Sequence, residues 1–178
     1  MNNFNQNNFK ANLQETDFSK IGVITLSTDF TIEQDYRQVC YDLPVDIFFN
    51  RIPFLNPLTH ENYIKMADYI YETTNQILPN EKVDVVAYGC TSGTIEIGVE
   101  RIKSEIHKSK ADALITTPIT AAIKAFKLSN FKKIAVLTPY PKDVNIKVYD
   151  YLIKQGLDIK SFNSFNLNYD SDIAKVTP

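Results

Sequence analysis

Apolar residues form short continuous runs at intervals along this chain of 178 residues. Three of these runs are IGVITL at 21–26, VDIFFN at 45–50 and VDVVAY at 83–88. Their length and their bounding glycine and polar residues predict strands that are buried on both faces. ADALIT at 111–116 and KKIAVLT at 132–138 extend the series. The pattern therefore predicts five strands.

Between these runs, apolar residues recur every three or four positions, which predicts helices that bury one face. The stretch THENYIKMADYIYETTNQIL is one such helix, with Thr59 as its N-cap. A second helix follows Ser92, and two more lie around 119–126 and 144–152, the last ending at Gly156 as a C-cap glycine. Strands that alternate with amphipathic helices predict an α/β protein with doubly wound parallel sheets.

Two of the predicted strands resemble each other, because IGVIT at 21–25 matches the pattern of IAVLT at 134–138. The match indicates a duplication, although chance remains an alternative because buried strands are alike. The polar residues 1–17 predict a mobile leader. A duplication predicts a first α/β domain at 18–130 and the start of a second at 131–178. The second domain would then be incomplete, and we expect the chain to be a fragment.

Composition and charge exclude several classes of protein. The chain is 44% hydrophobic, and its 19 basic residues nearly balance its 21 acidic ones, for a net charge of -2. This is typical of a soluble globular protein and does not favour a nucleic-acid partner. No apolar run approaches the roughly 20 residues that cross a membrane, and the polar N-terminus is not a signal peptide. With only two cysteines, both expected to be free thiols, we predict a cytoplasmic protein.

The segment VVAYGCTSGT carries the candidate chemistry, because Cys90 follows a predicted strand directly and precedes a helix. Ligands of parallel sheets bind beyond the carboxyl ends of the strands. A thiol at a helix N-terminus has a lowered pKa, and the glycines and hydroxyls around it can hold an anion. The alternative is that Cys90 is a small buried residue and that Ser92 is a helix N-cap.

Other cysteine and glycine chemistries do not fit the sequence. A cysteine phosphatase needs an arginine where Glu96 stands, and the phosphate-binding and dinucleotide-binding glycine motifs do not occur. His60 and His107, the two histidines, are expected to be solvated, and no cluster has metal-ligand spacing. The sequence thus predicts no metal and no cofactor. A thiolate beside an anion site suggests proton transfer at an α-carbon or addition to an activated double bond.

Three segments together resemble the aspartate/glutamate racemase superfamily: AYGCTSGT, TTPITAAIKAF and KKIAVLTPY. Within it, the chain is most similar to the branch of maleate cis-trans isomerases, arylmalonate decarboxylases and ectoine-utilization proteins. TDFTIEQDYR and NRIPFLNPLT are most like the ectoine-utilization members. The resemblance covers about residues 20–178. It implies two flavodoxin-like domains related by pseudo-twofold symmetry, with a cofactor-independent site between them.

The resemblance also implies roles for individual residues. Cys90 falls at the first-half cysteine of the isomerases and racemases, a position that is glycine in the decarboxylases. Thr91 and Ser92 fall where the family binds a substrate carboxylate. Tyr140 matches a tyrosine that hydrogen-bonds the bound acid, with Thr138 close by. The family completes its site with a second cysteine, and this chain has none after Cys90.

Three further residues are candidates for binding the substrate. Asp29 stands where the maleate isomerases have asparagine, and an aspartate there would repel a dicarboxylate unless it is protonated or binds an amine or hydroxyl. Arg51 could pair with a carboxylate, and a surface salt bridge is the alternative. Asp170 lies near an asparagine that the family presents from its second domain.

The sequence thus predicts a cofactor-independent isomerase or racemase of a small carboxylic acid, in which Cys90 acts as a thiolate and Tyr140 positions the acid. A role in ectoine breakdown and a homo-oligomeric state are further possibilities. The alternative is a non-catalytic protein of the same fold that binds or senses a small acid. The chain alone is expected to be inactive or nearly so.

Overall fold

The computed structural model describes residues 6–13 and 17–177, and this part of the chain contains six strands and eight helices. The strands are β1 (Ser19–Leu26), β2 (Val45–Ile52), β3 (Val85–Tyr88), β4 (Leu114–Thr116), β5 (Lys133–Thr138) and β6 (Asp158–Ser164). The helices are α1 (Ile32–Val39), α2 (His60–Ala67), α3 (Ile70–Asn75), α4 (Thr91–Ile97), α5 (Val99–His107), α6 (Pro118–Leu128), α7 (Lys142–Lys154) and α8 (Asp170–Ile173). The predicted leader lies partly outside the described residues.

The strands form two parallel sheets. The first has the order β2-β1-β3-β4, in which β1 pairs with both β2 and β3, and the second contains β5 and β6. The first order is the beginning of the flavodoxin-like order 2-1-3-4-5. The predicted α/β fold with parallel sheets is confirmed. The boundaries of the two domains stay a prediction.

Burial of the strands follows their place in the sheet. β1, in the centre, is buried over its last five residues, as predicted. β2 was also predicted to be buried on both faces, and this is wrong, because it lies at the sheet edge and most of its residues are half-buried. A continuous run of apolar residues does not distinguish a central strand from an edge strand.

Two predicted helices are each divided into two. The predicted helix that begins after Thr59 consists of α2 and α3, and the Thr59 side chain accepts a hydrogen bond from the backbone N–H of Asn62, as expected of an N-cap. The predicted helix that follows Ser92 is divided between α4 and α5 at Gly98, whose φ of 90° ends the first helix. Gly156, with φ of 83°, follows the C-cap of α7.

The core joins both sheets. Val144, Val148 and Leu152 of α7 are buried in the same cluster as Ile119 and Ile123 of α6. The segment before α8 also returns to the first half of the chain, and the N–H of Leu58 donates to the carbonyl of Asn168 at 3.0 Å. Among the described helices, none combines the length and apolar character needed to cross a bilayer.

Candidate active site

The candidate site lies where the carboxyl ends of β1 and β3 meet. These strands are neighbours in the sheet, and the N–H of Gly89 after β3 donates to the carbonyl of Ile24 in β1 at 2.8 Å. In this strand order, the β1/β3 edge is the point from which the chain winds in opposite directions, and it leaves a crevice that ligands occupy. The loop after β1 carries Asp29, and the turn after β3 carries Cys90.

Cys90 is the N-cap of α4, with extended backbone angles, and the residue is only 6% exposed. Its Sγ accepts a hydrogen bond from the N–H of Gly93 at 3.2 Å. Gly93 permits this contact because a Cβ there would lie 2.8 Å from the sulfur. The alternative interpretation of this segment is thus wrong about Ser92, since the sulfur itself is the N-cap, while its expectation that Cys90 is buried is confirmed.

The prediction that Cys90 has a lowered pKa is wrong for the protein without a substrate. Burial raises the pKa of the Cys90 thiol to about 12, because the thiolate would lose its contact with water. The N–H of Gly93 and the hydroxyl of Ser92 offset part of this effect, while Asp170 and Asp29 add to it by charge repulsion. Cys90 is thus a protonated thiol at neutral pH.

Ser92 is the centre of a group of hydroxyls beside the thiol. Its Oγ lies 3.9 Å from the sulfur and accepts a hydrogen bond of 2.9 Å from the hydroxyl of Tyr63, which is fully buried on α2. The hydroxyl of Tyr140 interacts with the side chains of both Ser92 and Thr91. Burial and the nearby Cys90 raise the pKa of Tyr140 to about 12, so its hydroxyl is a hydrogen-bond donor at neutral pH.

Tyr140 is held in place by the turn between β5 and α7. Its carbonyl accepts hydrogen bonds from Asn145 Nδ2 at 2.7 Å and from Ser164 Oγ at 2.5 Å. The hydroxyl of Thr138 donates to Asn145 Oδ1 at 2.5 Å. Thr138, which was predicted to bind substrate, therefore supports the residue that fixes Tyr140. A cavity of about 490 Å³ is lined by Thr91, Thr138 and Tyr140 together with apolar residues of α6, β5 and α7.

Two carboxyl groups, those of Asp29 and Asp170, raise the pKa of the thiol by charge repulsion. Asp29 accepts hydrogen bonds from the N–H groups of Thr31 at 2.8 Å and Ile32 at 2.9 Å, and so orders the start of α1. Asp170, on α8, accepts a hydrogen bond from the hydroxyl of Thr28. Burial raises the pKa of Asp170, the Thr28 hydroxyl lowers it in part, and the negative charge of Asp29 raises it further.

Arg51 is engaged away from this group. Its guanidinium pairs with Glu33 at 2.7 Å and donates to the carbonyl of Asp29 at 2.6 Å. These contacts brace the loop after β1 and correspond to the salt-bridge alternative. The structure thus brings Cys90, Thr91, Ser92 and Tyr140 together, with both aspartates nearby, while Thr138 and Arg51 support the loops around them.

Sequence reasoning missed several residues at the site. Tyr63 was recognised only as part of an apolar helix face, and nothing in the sequence shows where its hydroxyl points. Glu96 lies one helical turn after Ser92, and this spacing places both side chains on one face of α4. The spacing could therefore have identified Glu96 as a residue near the site. His60 was expected to be solvated, and although its side chain is 59% exposed, Nδ1 lies 2.5 Å from Glu96.

Comparison with known proteins agrees with this architecture. Residues 48–178 match the arylmalonate decarboxylase (Amdase) family. The maleate isomerase of Alcaligenes faecalis is 19% identical over 171 residues, which cover 89% of this chain and 68% of that protein. A maleate isomerase of Pseudomonas putida is 23% identical over 108 residues, which cover 57% of this chain and 43% of the relative.

Solved structures share the fold. The maleate isomerase Iso of Pseudomonas putida S16, solved with maleate, superposes with a TM-score of 0.78 at 21% identity, over 91% of this chain and 69% of its own. The Nocardia farcinica maleate cis-trans isomerase was solved as a mutant with a covalently bound succinylcysteine intermediate. It superposes with a TM-score of 0.80 at 17% identity, over 90% of this chain and 69% of its own. A liganded arylmalonate decarboxylase mutant superposes with a TM-score of 0.72 at 19% identity, over 89% of this chain and 67% of its own. The chain spans about two thirds of the length of these structures.

Proposed function

Because this chain belongs to the arylmalonate decarboxylase family, we propose that it acts as a cofactor-independent isomerase or racemase of a small carboxylic acid. The observation that carries the proposal is the buried Cys90 thiol beside Ser92, whose hydroxyl joins Tyr63 to Tyr140. A relative that traps a succinylcysteine supports a direct reaction between a cysteine and the substrate. Cys90 is the cysteine of this chain at the candidate site.

The hydroxyl groups have separate roles in this proposal. Thr91 and Ser92 hold a substrate carboxylate, and the Tyr140 hydroxyl donates to the same group. As negative charge develops on that carboxylate, donors fixed in advance stabilise it more than mobile water would. Tyr63 orients Ser92 through its 2.9 Å hydrogen bond. Arg51 is left out of the set, because its guanidinium is engaged with Glu33.

Cys90 must lose its proton during the reaction, since burial keeps it a thiol at neutral pH. With an unsaturated acid, the sulfur forms a bond to one alkene carbon, and the π electrons move into the neighbouring carboxylate as an enediolate. The thiol proton passes to the α-carbon or to a nearby carboxylate. The two former alkene carbons are then joined by a single bond. After rotation about this carbon–carbon bond, reversal of these steps breaks the sulfur–carbon bond, returns the proton to sulfur and releases the isomer. With a saturated acid, a nearby carboxylate first takes the thiol proton, and the sulfur then removes the α-proton. The carboxyl group returns its proton to the opposite face of the α-carbon, which gives the other enantiomer.

The raised pKa of Cys90 favours a second candidate function, a protein that binds a small acid without reacting with it. A thiol with a pKa of about 12 supplies little thiolate at neutral pH. Binding by Thr91, Ser92 and Tyr140 needs no reaction at sulfur. This candidate predicts saturable binding that persists in a Cys90→Ala variant.

Proton NMR in deuterium oxide distinguishes the two functions. Because the 178 residues alone are expected to be inactive or nearly so, the full product of the reading frame is used. It is incubated with a panel of small dicarboxylates, including maleate, and of diamino acids, which also tests the predicted role in ectoine breakdown. An isomerase or racemase incorporates deuterium or forms a new isomer, and Cys90→Ala abolishes this while Cys40→Ala does not. Binding of a panel member without either change supports the binding protein. Turnover that persists in a folded Cys90→Ala variant would refute Cys90 as the reacting group.

A further inference from the structure

A charged cluster lies one layer below the candidate site, at the point where α2, α4 and α7 meet. The carboxylate of Glu96 on α4 is almost fully buried, with its side chain 2% exposed. Its Oε2 lies 2.5 Å from Lys147 Nζ on α7 and 2.5 Å from His60 Nδ1 on α2. We call His60, Glu96 and Lys147 the Glu96 cluster. A buried carboxylate needs such partners, because leaving it uncompensated costs several kcal/mol, on the order of 3–5.

The same three segments supply the hydroxyl group at the site. Glu96 follows Ser92 by one turn on α4, and His60 precedes Tyr63 by one turn on α2. Residues at these spacings share one face of a helix. Tyr140 directly precedes the N-cap of α7, the helix that carries Lys147. Each element thus contributes one residue to the hydroxyl layer and one to the charged layer beneath it.

Lys147 and Glu96 also form an ion pair between the two halves of the chain. Among the described residues, it is the only ion pair that joins a residue before 130 to one after 133. The other ion pairs lie within one half of the chain. This ion pair therefore adds to the apolar packing of Val144, Val148 and Leu152 in holding α7, and the tyrosine before it, against α4.

We propose that the Glu96 cluster is a positioning device that sets the Tyr140 hydroxyl against Ser92 and keeps the Cys90 thiol covered. Lys147 and Glu96 act through other residues and do not touch the substrate. The inference rests on the proposed function only because it treats Cys90, Ser92 and Tyr140 as the reactive site. Its test uses no substrate, so its failure and the failure of the proposed function are distinguishable.

The test combines a spectroscopic and a chemical measurement on the full chain. 3-Fluorotyrosine is incorporated at position 140 and its ¹⁹F resonance is recorded, and the rate of Cys90 alkylation by iodoacetamide is followed by peptide mass mapping. Lys147→Met should shift the ¹⁹F resonance. It should also accelerate alkylation about tenfold or more, because loosening α7 lowers the free energy of local opening. Lys147→Arg keeps the charge, so its ¹⁹F resonance and its alkylation rate should lie closer to those of the wild type than do those of Lys147→Met.

Arg101→Met is the matched control, since it removes an interhelical ion pair, between Arg101 and Asp68 at 2.9 Å, that is exposed and lies outside the cluster. It should change neither measurement. If Lys147→Met lowers the urea midpoint but leaves the ¹⁹F resonance and the alkylation rate at wild-type values, the cluster is merely structural and the proposal is refuted. If Lys147→Met does not fold, Glu96→Gln, which keeps the shape of the side chain, decides between the same two outcomes.

Discussion

The ionisation of Cys90 gives the sharpest prediction, because the sequence and the structure disagree about it. The sequence predicts a lowered pKa, and in the structure burial raises the pKa of the thiol to about 12. Alkylation by iodoacetamide consumes the thiolate, so its rate follows the thiolate fraction. The perturbation is therefore a change of pH, and the readout is the alkylation rate of Cys90.

The expected difference is large. At pH 8, a pKa of about 12 leaves a thiolate fraction of about 1 in 10,000, whereas an unperturbed thiol with a pKa of about 8.5 is about one quarter ionised. Alkylation of Cys90 in the folded chain should thus be about 2,500-fold slower than in the urea-unfolded chain. Burial of the sulfur slows it further.

Alkylation is measured between pH 6 and 10 by peptide mass mapping, which separates Cys90 from Cys40. The rate at Cys90 should rise about tenfold per pH unit across the whole range, without a plateau. A plateau with a midpoint below pH 8 would refute the raised pKa and restore a resting thiolate. The shift also predicts a change in stability: above about pH 9 the unfolded thiol ionises before the folded one, so the free energy of unfolding falls as the pH rises toward 12.

Three substitutions test the packing around the site by urea denaturation. Gly93→Ala places a Cβ 2.8 Å from Cys90 Sγ, and overpacking should outweigh the gain in helix propensity, for a net loss of about 1–2 kcal/mol. Tyr63→Phe removes the donor to the Ser92 Oγ and should cost about 1–2 kcal/mol. Lys110→Met removes two hydrogen bonds, of 2.8 and 2.9 Å, from a buried ammonium to backbone carbonyls before β3, and should cost about 2–3 kcal/mol.

Matched variants on exposed faces control for general effects. Ser104→Ala, on the solvent face of α5, gains helix propensity without a clash and should be neutral or slightly stabilising. Lys108→Met removes an exposed pair with Glu105 and should change the stability by no more than about 0.5 kcal/mol. Equal losses in Lys108→Met and Lys110→Met would contradict the role given to the buried ammonium.

The sequence by itself determined most of the secondary structure and the place of the candidate thiol, because these depend on local patterns. Local patterns, set by residues a few positions apart, specify five of the strands, the helix start at Thr59 and the glycine at the end of α7. The placement of Cys90 after β3 follows from the same patterns, since in a parallel sheet the end of a strand is also the edge where ligands bind.

The tertiary structure alone decided the chemistry of that thiol and the contacts that support it. Elements distant in the chain bury Cys90, and this burial raises the pKa of a thiol that the sequence favours as a thiolate. Arg51 faces Glu33 because the loop after β1 brings the two together. Tyr63 meets Ser92, and Lys147 meets Glu96, across separations of 29 and 51 residues. Such pairings arise from the packing of whole helices, so the residues next to one partner in the sequence do not predict the other partner.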